Sequence, residues 1–180
     1  LSDDYRKFLC VLLPELVSFL KREGVMEQTY FHISDEPNMD NIKAYSEAAI
    51  YVRSILGDSC KIFDALSDFD FYETGAVRIP VPASDHLDRF LAADIKERWT
   101  YYCCAQCVKV ANRFIGMPSY RNRILGLQLY KYDFSGFLHW GYNYWQDFDT
   151  ARPIDPFETT DTEMSFPSGD PFLVYPGPEG

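Results

Sequence analysis

Tyr30-Phe31-His32-Ile33-Ser34-Asp35-Glu36-Pro37 reads as an apolar strand, Tyr30 to Ser34, that runs out onto two adjacent carboxylates and is stopped by a proline. Pro37 has no N–H to give to a ladder, so Asp35 and Glu36 fall where the strand gives way to a loop. Successive side chains on a regular strand point to opposite faces, and the two carboxylates can address one ligand only if the backbone turns there. These residues alone leave two readings open. In one, the pair is acid/base equipment at the C-terminal end of a strand; in the other, it is a surface turn in which Asp35 caps the next helix and Glu36 is solvated.

Outward from this stretch, Tyr5, Phe8, Leu9, Leu12, Leu13, Leu16, Val17 and Leu20 repeat at helical spacing until Gly24. Pro14 is expected to start a new helical segment or to kink the first. After the strand, Ile42, Tyr45, Ala49 and Val52 mark one face of a helix that Gly57 closes. Lys61 to Ala65 and Ala76 to Val81 read as strands, Asp85 to Ile95 as a helix, and Arg98 to Cys103 as a strand. A helix from Ser119 to Tyr132 and a last strand from Gly136 to Gly141 follow. Strands alternating with helices at this spacing imply parallel βα units, either doubly wound or in a barrel. One irregularity stands out: the strand after Asp70 is reached without a clear intervening helix. From Ala151 onward Pro153, Pro156, Pro167, Pro171, Pro176 and Pro178 punctuate a polar stretch, which divides the chain into an α/β region, 1–150, and an extended segment, 151–180, packed on it.

Composition narrows the function. With 47% hydrophobic and 24% charged residues, 180 residues suit a globular domain with a sizeable core. A formal net charge of −10 argues against binding a phosphate backbone, which relies on clustered Lys and Arg, so nucleic acid is not an expected partner. No apolar run reaches the ~18 residues a membrane-spanning helix needs, and neither common glycine-rich phosphate loop is present. Of five cysteines, three crowd into Cys103-Cys104-Ala105-Gln106-Cys107. No His or further Cys completes a zinc-site spacing, so buried or partly buried free thiols are expected, with no metal and no cofactor. Free thiols fit a reducing, cytoplasmic setting, and Asp3-Asp4-Tyr5-Arg6-Lys7 opens an amphipathic segment unlike a signal peptide. The 17% aromatic share places many rings near strand ends, where flat faces can stack on sugars or on one another. Paired carboxylates at the C-terminal end of a barrel strand are the usual equipment of a glycoside hydrolase.

Several segments together resemble a known family. His32-Ile33-Ser34-Asp35-Glu36-Pro37, Trp99-Thr100-Tyr101-Tyr102-Cys103-Cys104, Asn112-Arg113-Phe114-Ile115, Arg121 to Tyr132, Gly136-Phe137-Leu138-His139-Trp140-Gly141-Tyr142-Asn143 and Leu173-Val174-Tyr175-Pro176-Gly177 look like the C-terminal catalytic region of glycoside hydrolase family 123, long catalogued as domain of unknown function family 4091. The likeness covers nearly the whole chain, in the right order. It implies the C-terminal part of a (β/α)8 barrel, here roughly five parallel strands with intervening helices. It also implies an exo-acting β-N-acetylgalactosaminidase that uses the 2-acetamido group of its substrate as nucleophile.

On this resemblance Glu36 is the general acid/base, its pKa raised in an enclosed aromatic site, and Asp35 orients and polarises the acetamido group. Tyr101 and Tyr102 are candidates to hydrogen-bond the acetamide carbonyl, although strand alternation turns only one of them inward. Trp140 and Tyr142 would form the floor and rim of the sugar site, Asn143 would bind a sugar hydroxyl, and Asp64 is a further polar candidate. His32 and His139 read as satisfied core histidines. Arg113, Arg121 and Arg123 read as partners of the acidic surface. The partner is a glycan ending in a β-linked N-acetylhexosamine; another β-N-acetylhexosaminidase or a non-catalytic carbohydrate-binding module is the alternative. A partial barrel leaves an open strand edge, so a homodimer, or association with the remaining barrel half, is expected.

Overall fold

The computed structural model describes residues 1–177, so Pro178 of the proline series lies outside the described residues. The chain forms two compact units, Leu1–Pro82 with Asp88–Glu97, and Ala83–Leu87 with Arg98–Gly180. In both, parallel strands are connected through helices, which makes the chain α/β.

The first unit opens with α1, Asp3–Arg22. The Ser2 hydroxyl accepts from the Tyr5 N–H, Asp3 and Asp4 occupy the first turn, and Lys21 and Arg22 the last, so cap and charges both suit the helix dipole. The helix runs through Pro14, and no second segment begins there. Leu9 and Leu13 on its buried face, with flanking Leu16, Val17 and Leu20, pack on Phe31, Leu56 and Ile62. Burying a side chain of this kind contributes roughly 1.5–3 kcal/mol, and the cluster outweighs the proline's lost hydrogen bond of ~3 kcal/mol. Then follow β1 (Tyr30–Phe31), α2 (Ile42–Leu56), β2 (Lys61–Ala65), α3 (Phe69–Glu73), β3 (Ile79–Val81) and α4 (Asp88–Ala92). The strands form one parallel sheet in the order β1-β2-β3, with Tyr30 opposite Lys61 and Phe63 opposite Ile79. Gly57 ends α2 at φ 80°, a left-handed conformation that suits glycine.

Two sequence expectations change here. The gap after Asp70 does contain a helix, α3, capped by Asp68 accepting from the Phe71 N–H at 3.2 Å and pinned by the fully buried Phe71. Five residues are too few to show a helical period. The helix expected from Asp85 to Ile95 shrinks to Asp88–Ala92.

In the second unit β4 (Trp99–Tyr101), α5 (Ser119–Lys131) and β5 (Gly136–Leu138) make a parallel βαβ unit, with Trp99 opposite Gly136. The Trp99 ring lies over Gly136 so closely that a Cβ there would fall 2.4 Å from it. The segment beyond Ala151 belongs to this unit and carries no helix or strand among the described residues. Isolated bridges, Asn143 with Phe172 and Gln146 with Pro153, hold it, and Thr162, Asp170 and Phe172 are buried in it. Among the described residues no helix is long and apolar enough to cross a membrane.

Candidate active site

The strand expected from Tyr30 to Ser34 stops at Phe31, and the cause is a side chain. Asp64, on β2 and only 1% exposed, points its Oδ1 at the main chain of the segment that follows β1. It accepts from the Ile33 N–H at 2.8 Å and from the Ser34 N–H at 3.1 Å. The carboxylate thus takes up two consecutive main-chain donors, which on a regular strand would point to opposite sides. The same Oδ1 lies 2.8 Å from His32 Nδ1, and the Tyr45 hydroxyl of α2 donates to Oδ2. All four neighbours are hydrogen-bond donors, which is what a buried carboxylate requires.

Beyond this clamp the chain bends at Asp35 and Glu36. Glu36 sits at φ 40°, in the left-handed region that a residue with a Cβ occupies at a cost of about 1–3 kcal/mol, and such strain clusters at functional turns. Both carboxylates are exposed, where the resemblance implies an enclosed site. Asp35 does not cap the next helix. Asn38 does, accepting from the Asp40 N–H at 3.0 Å while Asn41 Oδ1 accepts from the Asn38 N–H at 3.1 Å. The surface-cap reading of Asp35 therefore fails, and the turn that two adjacent carboxylates need is present.

Asp64, expected to touch substrate, is a correction: both its oxygens are engaged by protein, and its burial leaves no surface for a sugar hydroxyl. His32 is another. Its side chain is 49% exposed and is not a core histidine. The Asp64 carboxylate raises its pKa above the ordinary value against a smaller opposing effect of burial, and the Phe63 carbonyl and Asp35 add to the rise.

In the second unit Tyr101 and Tyr102 are both buried, where alternation leads one to expect them on opposite sides. The Tyr101 carbonyl accepts from the Ser84 N–H at 2.8 Å. Tyr102, 2% exposed, packs against Phe137 and His139 at ring separations of 4.6 and 5.7 Å, and burial raises its hydroxyl pKa. A cleft of about 460 Å³ is lined by Tyr102, Arg113, Asn122, Phe137, His139 and Leu173, among others. Trp140, 38% exposed, stacks among Tyr144 and Phe166 and donates its indole N–H to Asp170 Oδ2 at 3.0 Å. Tyr142 and Asn143 are exposed; the Tyr142 carbonyl accepts from the Leu173 and Val174 N–H groups.

Sequence reading missed the group that organises this unit. Arg113 does not pair with a surface carboxylate. Its Nη2 donates to the carbonyls of Asp170 at 2.7 Å and Phe172 at 3.1 Å, and its Nε donates to His139 Nε2 at 3.2 Å. The other ring nitrogen, Nδ1, lies 3.1 Å from both the carbonyl oxygen and the N–H nitrogen of Gly141. Arg121 likewise donates to main-chain carbonyls, those of Val108 and Val110. No periodic signal marks an arginine that binds backbone. Asp170, fully buried, carried no signal either, because its partner Trp140 is 30 residues away. Among the described residues no cluster of His, Cys, Asp or Glu could hold a metal ion, and burial pushes the Cys103 thiol up to about 11.

The family described as "Glycoside hydrolase 123, catalytic domain" matches over residues 1–180. A solved structure of a family 123 glycoside hydrolase from Clostridium perfringens, determined in a study of glycolipid glycan hydrolysis, superposes with a TM-score of 0.63 at 20% sequence identity. The match covers 99% of this chain and 31% of that one, so the chain spans about a third of that protein's length. No curated protein sequence matches the chain.

Proposed function

We propose, from the premise that this chain belongs to the glycoside hydrolase 123 catalytic-domain family, that it carries the acid/base turn of an exo-acting β-N-acetylgalactosaminidase with substrate-assisted, retaining chemistry. The observation that supports this reading is the turn itself: two adjacent carboxylates at the C-terminal end of a parallel strand, with Glu36 in a strained conformation. Adjacent carboxylates cannot face one another across a sugar ring as a nucleophile and an acid do. They suit a mechanism in which the substrate brings its own nucleophile. In the first step the acetamide carbonyl oxygen attacks the anomeric carbon while Glu36 gives its proton to the leaving oxygen. Asp35 accepts the acetamide N–H and balances the positive charge of the oxazolinium-like intermediate. In the second, Glu36 takes a proton from the water that opens the ring. The scaffold is proposed to be the C-terminal part of a (β/α)8 barrel.

The exposure of both carboxylates favours a second reading, a carbohydrate-binding module without turnover. Hydrolysis of para-nitrophenyl β-GalNAc and β-GlcNAc by the intact protein, with calorimetric binding of GalNAc thiazoline, separates the two. Release of nitrophenol inhibited by the thiazoline supports the enzyme. Saturable sugar binding with no release supports the module, and hydrolysis insensitive to the thiazoline refutes the substrate-assisted step.

A further inference from the structure

We propose that Asp64 is the positioning residue of the acid/base turn: its buried carboxylate, held by Tyr45 from α2, gathers the segment after β1 and so sets where Glu36 is carried. This inference rests on the reading of Asp35 and Glu36 as the catalytic pair.

Three features of the clamp support it. First, its donors are consecutive: His32, Ile33 and Ser34 all address Oδ1, and Asp35 is the next residue. A buried aspartate serving only the sheet has no need of three successive residues from the lip of a neighbouring strand. Second, the carboxylate is itself immobilised. Tyr45, 3% exposed, takes Oδ2, and its ring packs edge-on against the fully buried Phe71 at 5.3 Å. Ala49, Leu66 and Val77 complete the same cluster. Third, the ladder between β1 and β2 ends with Phe31 opposite Ile62, so past that pair Asp64 provides the connection from β2 to residues 33 and 34. The strain at Glu36 then has an anchor on its N-terminal side. The Asn38 cap with Asn41 supplies one on the other.

The lever is long. Displacing a catalytic group by about 1 Å costs on the order of 10²-fold in rate, and release of both N–H groups frees the turn by at least that much. In the intact protein, Asp64→Ala is expected to lower kcat for an aryl β-N-acetylgalactosaminide roughly 10²-fold with little change in KM. Asp64→Asn, whose amide oxygen still accepts from Ile33 and Ser34, recovers most of that loss. Tyr45→Phe, which keeps the carboxylate but frees Oδ2, falls between. Each variant is compared only where its circular dichroism and unfolding midpoint show a folded protein; where Asp64→Ala does not fold, the other two carry the test. Wild-type kcat in folded Asp64→Ala or Tyr45→Phe overturns the proposal.

Amide hydrogen exchange at residues 30–36 gives an answer independent of turnover. Protection at Ile33 and Ser34 falls in Asp64→Ala while that at Phe31 persists; unchanged protection at 33 and 34 overturns the clamp. A wild-type protein that hydrolyses no β-N-acetylhexosaminide refutes the functional reading instead, and exchange still decides the role of Asp64.

Discussion

Replacing Arg113 is expected to loosen the second unit from its C-terminal side. Two of its three bonds end on the carbonyls of Asp170 and Phe172, both residues buried, and the third on His139. A buried carbonyl left without its donor loses about 1–3 kcal/mol, so Arg113→Ala removes about 2–6 kcal/mol before relaxation. The neighbouring cleft of about 460 Å³ admits water to the vacated positions, which brings the expectation down to about 2–4 kcal/mol. Arg113→Lys, with a single ammonium in place of the planar fork, can reach one carbonyl at a time and should lose about half as much. Urea unfolding of the intact protein measures both, and limited proteolysis locates the damage, with new cleavage between Ala151 and Tyr175 ahead of the rest of the chain. A loss below about 0.5 kcal/mol for Arg113→Ala, the scatter of ordinary surface changes, refutes the assignment of Arg113 as the tether of this segment.

Glu36→Gln keeps shape and removes the proton, so hydrolysis is expected to fall by roughly 10²–10⁴-fold, and less for substrates with good leaving groups; equal losses for good and poor leaving groups count against an acid. His32 contributes to stability through its raised pKa: that contribution is complete below the ordinary value of 6.5 and fades as pH rises through the folded-state value. The urea midpoint of wild type should therefore fall relative to His32→Gln between neutral and mildly alkaline pH, and a constant difference refutes the pairing with Asp64. Gly136→Ala drives a methyl into the Trp99 ring and is expected to lose about 1–3 kcal/mol, the usual penalty of overpacking, read as a lowered unfolding midpoint; an unchanged midpoint refutes the close approach.

All five strands among the described residues were legible in the sequence, and three of the helices nearly to the residue, because each carries a run long enough for its period to show. The ends of the strands were not. Where β1 stops depends on Asp64, a residue 33 positions beyond Phe31, and no local pattern at Ser34 encodes that. Short α3 escaped notice for want of a full period, and α1 continues through Pro14 because tertiary burial of Leu9 and Leu13 outweighs the lost hydrogen bond. The adjacent carboxylates were the part of the candidate site that chemistry alone could pick out. Their supports, Tyr45 and Asp64, looked like a helix core residue and a substrate ligand. Arg113 and Asp170 address partners tens of residues away, so charge patterning placed the arginine on the wrong surface and missed the aspartate.

Position 36 sets two selections against each other. At φ 40° the residue best suited to folding has no Cβ, or is an asparagine, by about 1–2 kcal/mol over other side chains. The proposed proton transfer, in contrast, requires a carboxyl group there. A population of variants randomised at this codon and sorted for folded yield alone should drift toward Gly and Asn, whereas the same population sorted for release of a sugar should keep Glu. On the proposed function, the left-handed glutamate is a place where the chain gives up some stability to keep a reactive group, and its persistence among descendants would record which of the two pressures has ruled.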